Sequence, residues 1–262
     1  MRSSWTRKAI GVILGTIVLA GASTCVAIFA QDQAKPAGTT AKKDEVGYSS
    51  KVWRSTLGDK PLVLLKGDVT FTHGDTTLKS DQITYDKKAD VATSPGKVSI
   101  SDPECDISGD KGTASFKKKL GVLEGSVTML LKPQPTADAP PDKDSMRAKI
   151  TKPTTITCPK VEYLYKTKIA TLTGGVNFKQ EKRSASANKA VYDGKNELLT
   201  LTGNVKGIDE DGQTFSAPTV RISLKKGDEW MEAENANASF KIDLSEENNS
   251  PAEGQAPKAK NQ

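Results

Sequence analysis

Gly-x-Val occurs five times in this chain, at Gly67, Gly96, Gly125, Gly174 and Gly203, with spacings of 29, 29, 49 and 29 residues. A period of 20 to 50 residues marks a repeat architecture, in which each unit buries its apolar face against its neighbours. The long spacing exceeds the period by 20. Pro133 to Lys152, PQPTADAPPDKDSMRAKITK, supplies the excess: it has four prolines in its first nine residues and little to bury. It reads as a loop inserted into the third unit.

A second motif travels in the same register. LKSDQITY begins at Leu78, ISGDKGTA at Ile107, ITCPKVEY at Ile156 and ASANKAVY at Ala185, while FSAPTVRI at Phe215 comes one residue late. The shared pattern is apolar, any, small, Asp/Asn/Pro, any, apolar, any, often Tyr. Stretches such as ADVATSPGKVSI and TLKSDQITYD are strand-like, and short turns such as THGD and YDKKAD join them. Strands joined that way run antiparallel. No heptad or Ala/Glu/Leu-rich helical register follows residue 30, so the fold is expected to be all-β.

Each strand also carries a break near its middle. In one strand of a pair it is the repeat glycine, which bends or bulges a strand without steric cost. In the other it is the small residue with its Asp, Asn or Pro. Leu78 and Ser80 are even-numbered, whereas Ile83 and Tyr85 are odd. Side chains alternate faces with period two, so a straight strand would send these halves to opposite faces. One extra residue at the break, acting as a bulge, returns both to one face. Leu172, Gly174, Val176 and Phe178 keep one parity through the glycine bend. Both strands therefore fold into a V with its apolar face inside. Two rows per unit, five units and about 4.8 Å between rows make a trough roughly 48 Å long.

One wall of the trough is assigned Val69, Phe71, Val98, Ile100, Val127, Met129, Val176, Phe178 and Val205. The opposite wall is assigned Leu78, Ile83, Ile107, Ile156, Val161 and Ala190. Tyr85, Tyr163 and Tyr192 recur at equivalent positions and suit a rim where an apolar ring meets water. Small residues at the second break (Ser80, Gly109, Cys158, Ala187) leave space inside, while the period-two patterning alone fits a filled sandwich core equally well.

LLKGDVTFTHGDTTLKSDQITYD and LLTLTGNVKGIDEDGQTFSAPTVRIS resemble the OstA-like family of periplasmic lipopolysaccharide-transport proteins, whose pattern reads close to TGNVxVxxGxxxIxADxVxY. The likeness covers roughly Leu62 to Leu224. It implies a V-shaped β-jellyroll of stacked, bent antiparallel strands that shields the acyl chains of lipopolysaccharide or a similar glycolipid. It also implies end-to-end assembly with other β-jellyroll bridge subunits through edge strands, and energy supplied by a partner ATPase such as an inner-membrane ABC transporter. On this reading the candidate wall residues bind lipid and no cofactor is needed. The chain departs from the pattern in its 20-residue insertion and in Arg221, near the tyrosine position of the last unit.

Arg2, Arg7 and Lys8 precede a run without charge from Ala9 to Ala30, AIGVILGTIVLAGASTCVAIFA. The run fits a cleaved export signal with an apolar stretch at Ile10 to Leu19 and an A-x-A-like site at Ala20 to Ala22. It also fits a retained anchor, the reading favoured by a run that stays apolar to Ala30, because 22 residues at 1.5 Å each span about 33 Å. Cys25 follows AST, a poor lipobox because of its threonine. Either way the rest is exported, anchored in the inner membrane or soluble in the periplasm. An anchor resembles the inner-membrane member of the family, and the Lys/Pro/Gln-rich C-terminus resembles its soluble bridge member. The chain divides into 1–30 as leader or single-pass helix, 31–45 as linker, 46–244 as the β domain with its loop at 133–152, and 245–262 as a disordered tail.

The remaining features argue against other functions. The net charge of +6 falls to +3 once the three leader cations are set aside, and aromatics are 5% of residues. A nucleic-acid surface needs more charge, clustered and interleaved with aromatics. His73 is the only histidine, so it has no histidine partner for a metal, and no nucleophile or paired carboxylates converge; no catalytic residue and no metal site are expected. GIDEDGQ at Gly207 to Gln213 lacks the ligand spacing of an EF-hand and reads as a charged hairpin. FKKKL at Phe116 to Leu120 reads as a basic turn. Cys105 and Cys158 sit four residues out of register, roughly 13 Å along a strand and beyond disulfide reach, so two free, partly buried thiols are expected. Trp53 and Trp230 flank the repeats, where they could cover the two ends. The rival to a lipid carrier is an exported structural or binding β-solenoid with a filled core.

Overall fold

Strand follows strand from Gly47 to Ser239 in the computed structural model. It describes residues 47–56, 58, 61–73, 75–101, 103, 105–132, 152–225 and 228–239, with only the backbone at His73. The leader, linker and tail lie outside the described residues, as does the inserted loop except Lys152. Among the described residues no helix is long and apolar enough to cross a membrane.

The strands are β1 (Gly47–Ser49), β2 (Val52–Ser55), β3 (Leu62–His73), β4 (Thr76–Asp86), β5 (Val91–Ser94), β6 (Val98–Ser101), β7 (Cys105–Gly109) and β8 (Lys111–Ser115). There follow β9 (Leu120–Leu131), β10 (Thr154–Leu164), β11 (Ile169–Gln180), β12 (Arg183–Asp193), β13 (Leu198–Ile208), β14 (Thr214–Ser223), β15 (Trp230–Glu234) and β16 (Asn237–Ser239). All belong to one antiparallel sheet in nearly sequential order. Where two short strands pair with one long neighbour, they are halves of a single broken row: β1 and β2 on β3, β5 and β6 on β4, β7 and β8 on β9, β15 and β16 on β14.

The expected break appears in the pairing. Between β11 and β12 the register holds to Thr173–Lys189 and resumes at Val176–Ala187, so β11 takes three steps where β12 takes two. The same slip recurs at Lys66–Val69, Glu124–Val127 and Thr202–Val205. Inward Cys158 and Val161 are three positions apart, the single extra residue that parity requires, while inward Leu172 and Val176 are four apart. The Asp/Asn/Pro strand thus carries one extra residue and the glycine strand one more again.

The two sequence motifs turn out to be halves of one contact. A Cβ on Gly174, whose φ is +91°, would lie 2.8 Å from Cγ of Pro159, and a Cβ on Gly203 would lie 2.7 Å from Nδ2 of Asn188. The Asp/Asn/Pro side chain of one row therefore occupies the place a side chain would take on the glycine of the next. Asp110 uses this position further, accepting a hydrogen bond from the Ser126 amide at 2.8 Å. Gly67 and Gly96 differ: a Cβ on Gly67 would meet Lys51 at 3.0 Å, and nothing lies within 4 Å of one on Gly96. There the row is interrupted, β5 ending at Ser94 and β6 starting at Val98, so no tight bend demands glycine.

Opposite the creases, four-residue turns close the rows. The Asp86 carboxylate accepts the amides of Lys88 and Ala89, and Asp193 accepts those of Lys195 and Asn196. FKKKL is one of these turns: Lys117 and Lys118 are exposed, and Lys119 ends the turn at φ +53°.

Candidate functional site

The inward residues line up across the rows as four ladders, two on each arm of the V. The outer ladder of the first arm runs Phe71, Leu78, Ile100, Ile107, Met129, Ile156, Phe178, Ala185, Gly207, Phe215 through nine consecutive strand pairings without a polar interruption. Nearer the crease, large and small residues alternate: Val69, Ser80, Val98, Gly109, then Val127, Cys158, Val176, Ala187, Val205, Ala217. Here the arms converge, and each repeat valine stands beside the small residue of the second motif.

This geometry corrects the wall assignment. Leu78, Ile107 and Ile156 lie on the same wall as Phe71, Ile100, Met129 and Phe178, directly paired with them. The walls are the two arms, and every strand contributes half its length to each. Ile83, Val161 and Ala190 do lie across the crease, with Leu65, Leu123, Leu172, Leu201 and Val220 beside them. Leu172 shares the inward parity expected from sequence, whereas Leu65, Leu123 and Leu201 were not singled out there, although a signal was present. Leu65, Leu123, Leu172 and Leu201 each stand two places before a repeat glycine.

The expected lining residues are 0–9% exposed except Phe71, which is half-buried and packs on the cluster. Residues of both arms belong to this one buried cluster. Ser80 and Ser94, 7% and 6% exposed, satisfy each other through a hydroxyl–hydroxyl hydrogen bond of 2.7 Å. A groove of about 430 Å³ lies at the crease, lined by the exposed Gly125, Ser126, Thr157, Pro159 and Gly174 with Val127 and Cys158 behind them.

The tyrosines do not form a water-facing rim. Tyr163 and Tyr192 are 2% and 4% exposed, in the outer ladder of the second arm, Tyr163 between Gly121 and Ala170 and Tyr192 between Ala170 and Leu199. Ala170 is the cross-strand neighbour of both, which leaves room for the rings to lie inward. Tyr85 alone is half-buried; its hydroxyl donates to Asp90 Oδ1 at 2.7 Å, and that hydrogen bond, followed by burial, pushes its pKa up. The ends differ from each other as well. Trp53, 59% exposed, pairs with inward Leu65 and so extends the second arm's lining to the first row, as Tyr48 stacked on Phe71 at 6.0 Å does for the first arm. Trp230 lies on the outer face opposite Ser223, with the Arg221 guanidinium 5.7 Å from its ring, and covers nothing inside.

Cys105 and Cys158 stand opposite Leu131 and Val127 of β9, four residues apart, and are not joined. The expectation of two free thiols holds for Cys158 only, since Cys105 is disulfide-bonded. The four-residue offset bears only on a bond between these two cysteines, and the chain has three. Burial pushes the Cys158 thiol up to about 11, so at pH 8 only about one molecule in a thousand carries the reactive thiolate. Iodoacetamide at pH 8 is expected to leave Cys158 unmodified in the folded protein over a time that labels it fully in urea. Equal rates by mass spectrometry would show that the interior opens freely.

Among the described residues no group of three His, Cys, Asp or Glu is placed to hold a metal ion. GIDEDGQ is a hairpin turn in which Asp209 Oδ1 accepts the amides of Asp211 and Gln213.

The solved structure of LptH, the LptA-homologous periplasmic component of the lipopolysaccharide transport device of Pseudomonas aeruginosa, is similar to this chain at 18% identity and a TM-score of 0.26, over 61% of this chain and 83% of that one. No curated protein matches. Residues 55–228 match the family model of the LptA/(LptD N-terminal domain) LPS transport proteins, a span that contains all five repeat glycines and all four ladders. The chain belongs to the LptA/(LptD N-terminal domain) family of LPS transport proteins.

Proposed function

We propose that this chain is a non-enzymatic periplasmic carrier that holds the acyl chains of lipopolysaccharide, or of a similar glycolipid, between the two arms of its V on the way to the outer membrane. The observation that carries this reading is the apolar ladder from Phe71 to Phe215, which crosses ten strands without a polar break. Each acyl CH₂ held out of water is worth about 0.8 kcal/mol. A path that never interrupts the apolar lining lets chains slide without re-entering water, and no covalent chemistry is required. Because the lining is closed in the free protein, loading parts the arms, and the creases are where the rows bend already.

The first and last rows, β1/β2 and β15/β16, carry the outward edges of the sheet. Unpaired amides and carbonyls there suit strand addition by further bridge subunits, which extends the trough rather than closing it. Tyr48 and Trp53 keep the lining apolar up to that edge. An inner-membrane ABC transporter fits as the source of energy, and residues 9–30 fit either an anchor beside it or a removed signal.

A filled-core solenoid is the competing reading, favoured by the low exposure of the ladders. A photo-crosslinking residue at Val98 or Phe178 in cells is expected to capture lipopolysaccharide, and one at outward Thr70 is not. Capture at Thr70 alone, or no lipid at any position with folded protein, would leave the filled core standing.

A further inference from the structure

At the lip of the first arm the inward face changes from apolar to polar within one row. Thr154, Gln180, Arg183 and Asp209 continue the inward alternation of β10, β11, β12 and β13, one step beyond Ile156, Phe178, Ala185 and Gly207. Gln180 pairs with Arg183, and Arg183 sits one step past the Ser184–Ile208 pair, beside Asp209. Rows are about 4.8 Å apart, so Gln180, Arg183 and Asp209 span roughly 10 Å. Thr154, Gln180 and Asp209 are 1%, 2% and 2% exposed.

These groups are partly used. Gln180 Nε2 donates to Thr154 Oγ1 at 3.0 Å and to the Lys152 carbonyl at 3.2 Å. Arg183 Nη2 donates to Glu210 Oε1 at 2.6 Å, and Asp209 Oδ1 caps its turn. Among the described residues, however, Gln180 Oε1, Arg183 Nε and Asp209 Oδ2 are buried without a hydrogen-bond partner. A buried polar atom left unpaired costs about 1–3 kcal/mol, and three in one row at the mouth of an apolar interior call for a common explanation.

We infer that this row is a subsite for the hydroxyl-bearing headgroup of an amphiphile whose chains lie on the ladder below; the inference rests on the carriage of lipid proposed above. The donor and acceptor pattern selects the chemistry. Two of the three unpaired atoms are acceptors, one of them a carboxylate oxygen, and one is a donor. A phosphate offers the acceptors little and is repelled by Asp209. A sugar hydroxyl donates and accepts, so a glycosyl ring can serve all three. The row then fixes the sugar at the lip while the chains remain free to slide.

The test measures binding of three synthetic lipids with identical acyl chains to the purified full-length chain: a glucosyl diacylglycerol, its per-O-methylated form, and phosphatidic acid. The wild type is expected to hold the glucosyl lipid about ten-fold more tightly than either other, about 1.4 kcal/mol. Asp209→Asn keeps the capping oxygen and turns the unpaired acceptor into a donor; with Gln180→Met, each is expected to bring the ratio near one, while Lys179→Ala, on the outer face, preserves it. Equal binding of all three lipids by the wild type, or a ratio that the two variants leave intact, would overturn the subsite and leave lipid carriage in place; the row then holds water only. Binding of none of them would overturn both. Far-UV circular dichroism checks the fold of each variant, and the wild-type ratio decides even where a variant fails to fold.

Discussion

Replacing Phe178 with alanine is expected to lower the stability of the fold by about 3–5 kcal/mol, read as a shift of the urea midpoint. Phe178 is 1% exposed and sits between Ile156 and Ala185 in the longest ladder. Ala185 is too small to fill the gap, and its strand is tied to β13 on its other side, so the wall cannot collapse around the missing ring. Phe71 provides the comparison. It occupies the same ladder but is half-buried near the first row, touching exposed Tyr48. Phe71→Ala is expected to cost less than half as much, since water already reaches the site. If both substitutions cost the same small amount, the interior is open to water along its length and the ladders do not form a packed core. A large loss at Phe178 beside lipid capture at the same position would describe an interior that is closed when empty and parted when loaded.

The sequence disclosed the repeat, the all-β class and the V because all three depend on local periodicity. A crease must change or conserve parity, and Leu78, Ser80, Ile83 and Tyr85 record that change in their numbering. Family resemblance followed from the same residues, and the match over residues 55–228 bears it out. What sequence did not yield was the allocation of residues to walls. Leu78 and Phe71 belong to different strands and different motifs, and only the pairing of β3 with β4 makes them neighbours. The tyrosines misled for a related reason: a recurring Tyr fits a wet rim or a dry core opposite small residues. Ala170, which decides between the two, is a cross-strand neighbour with no fixed sequence offset.

The polar lip was hidden more thoroughly. Gln180, Arg183 and Asp209 sit in or beside turns, where polar residues raise no suspicion. Their inward placement becomes evident only when the alternation of β11, β12 and β13 is carried one residue past the last apolar position. A turn sequence such as GIDEDGQ reads as solvated charge, yet its first acid is 2% exposed.

Gly174→Val is expected to destabilise the protein by at least about 3 kcal/mol, whereas Gly96→Ala stays within about 1 kcal/mol of the wild type. Two effects add at Gly174. Its φ of +91° is a conformation that side chains rarely adopt, and a Cβ there would lie 2.8 Å from Pro159 Cγ, in a ring that has no flexible end to swing aside. Gly96 has neither a left-handed φ nor any atom within 4 Å of the added carbon. For a domain of this size a loss of 3 kcal/mol lowers the melting temperature by roughly 6–12 °C, well outside the error of a thermal melt. A double-mutant cycle separates the two effects. Pro159→Ala removes the ring, so Gly174→Ala in that background bears only the backbone strain and is expected to cost less than it does beside Pro159. Equal costs in the two backgrounds would mean that the glycine is kept for its φ alone. The Asp/Asn/Pro position and the glycine position would then be two independent requirements that happen to share a period, not one contact repeated row by row.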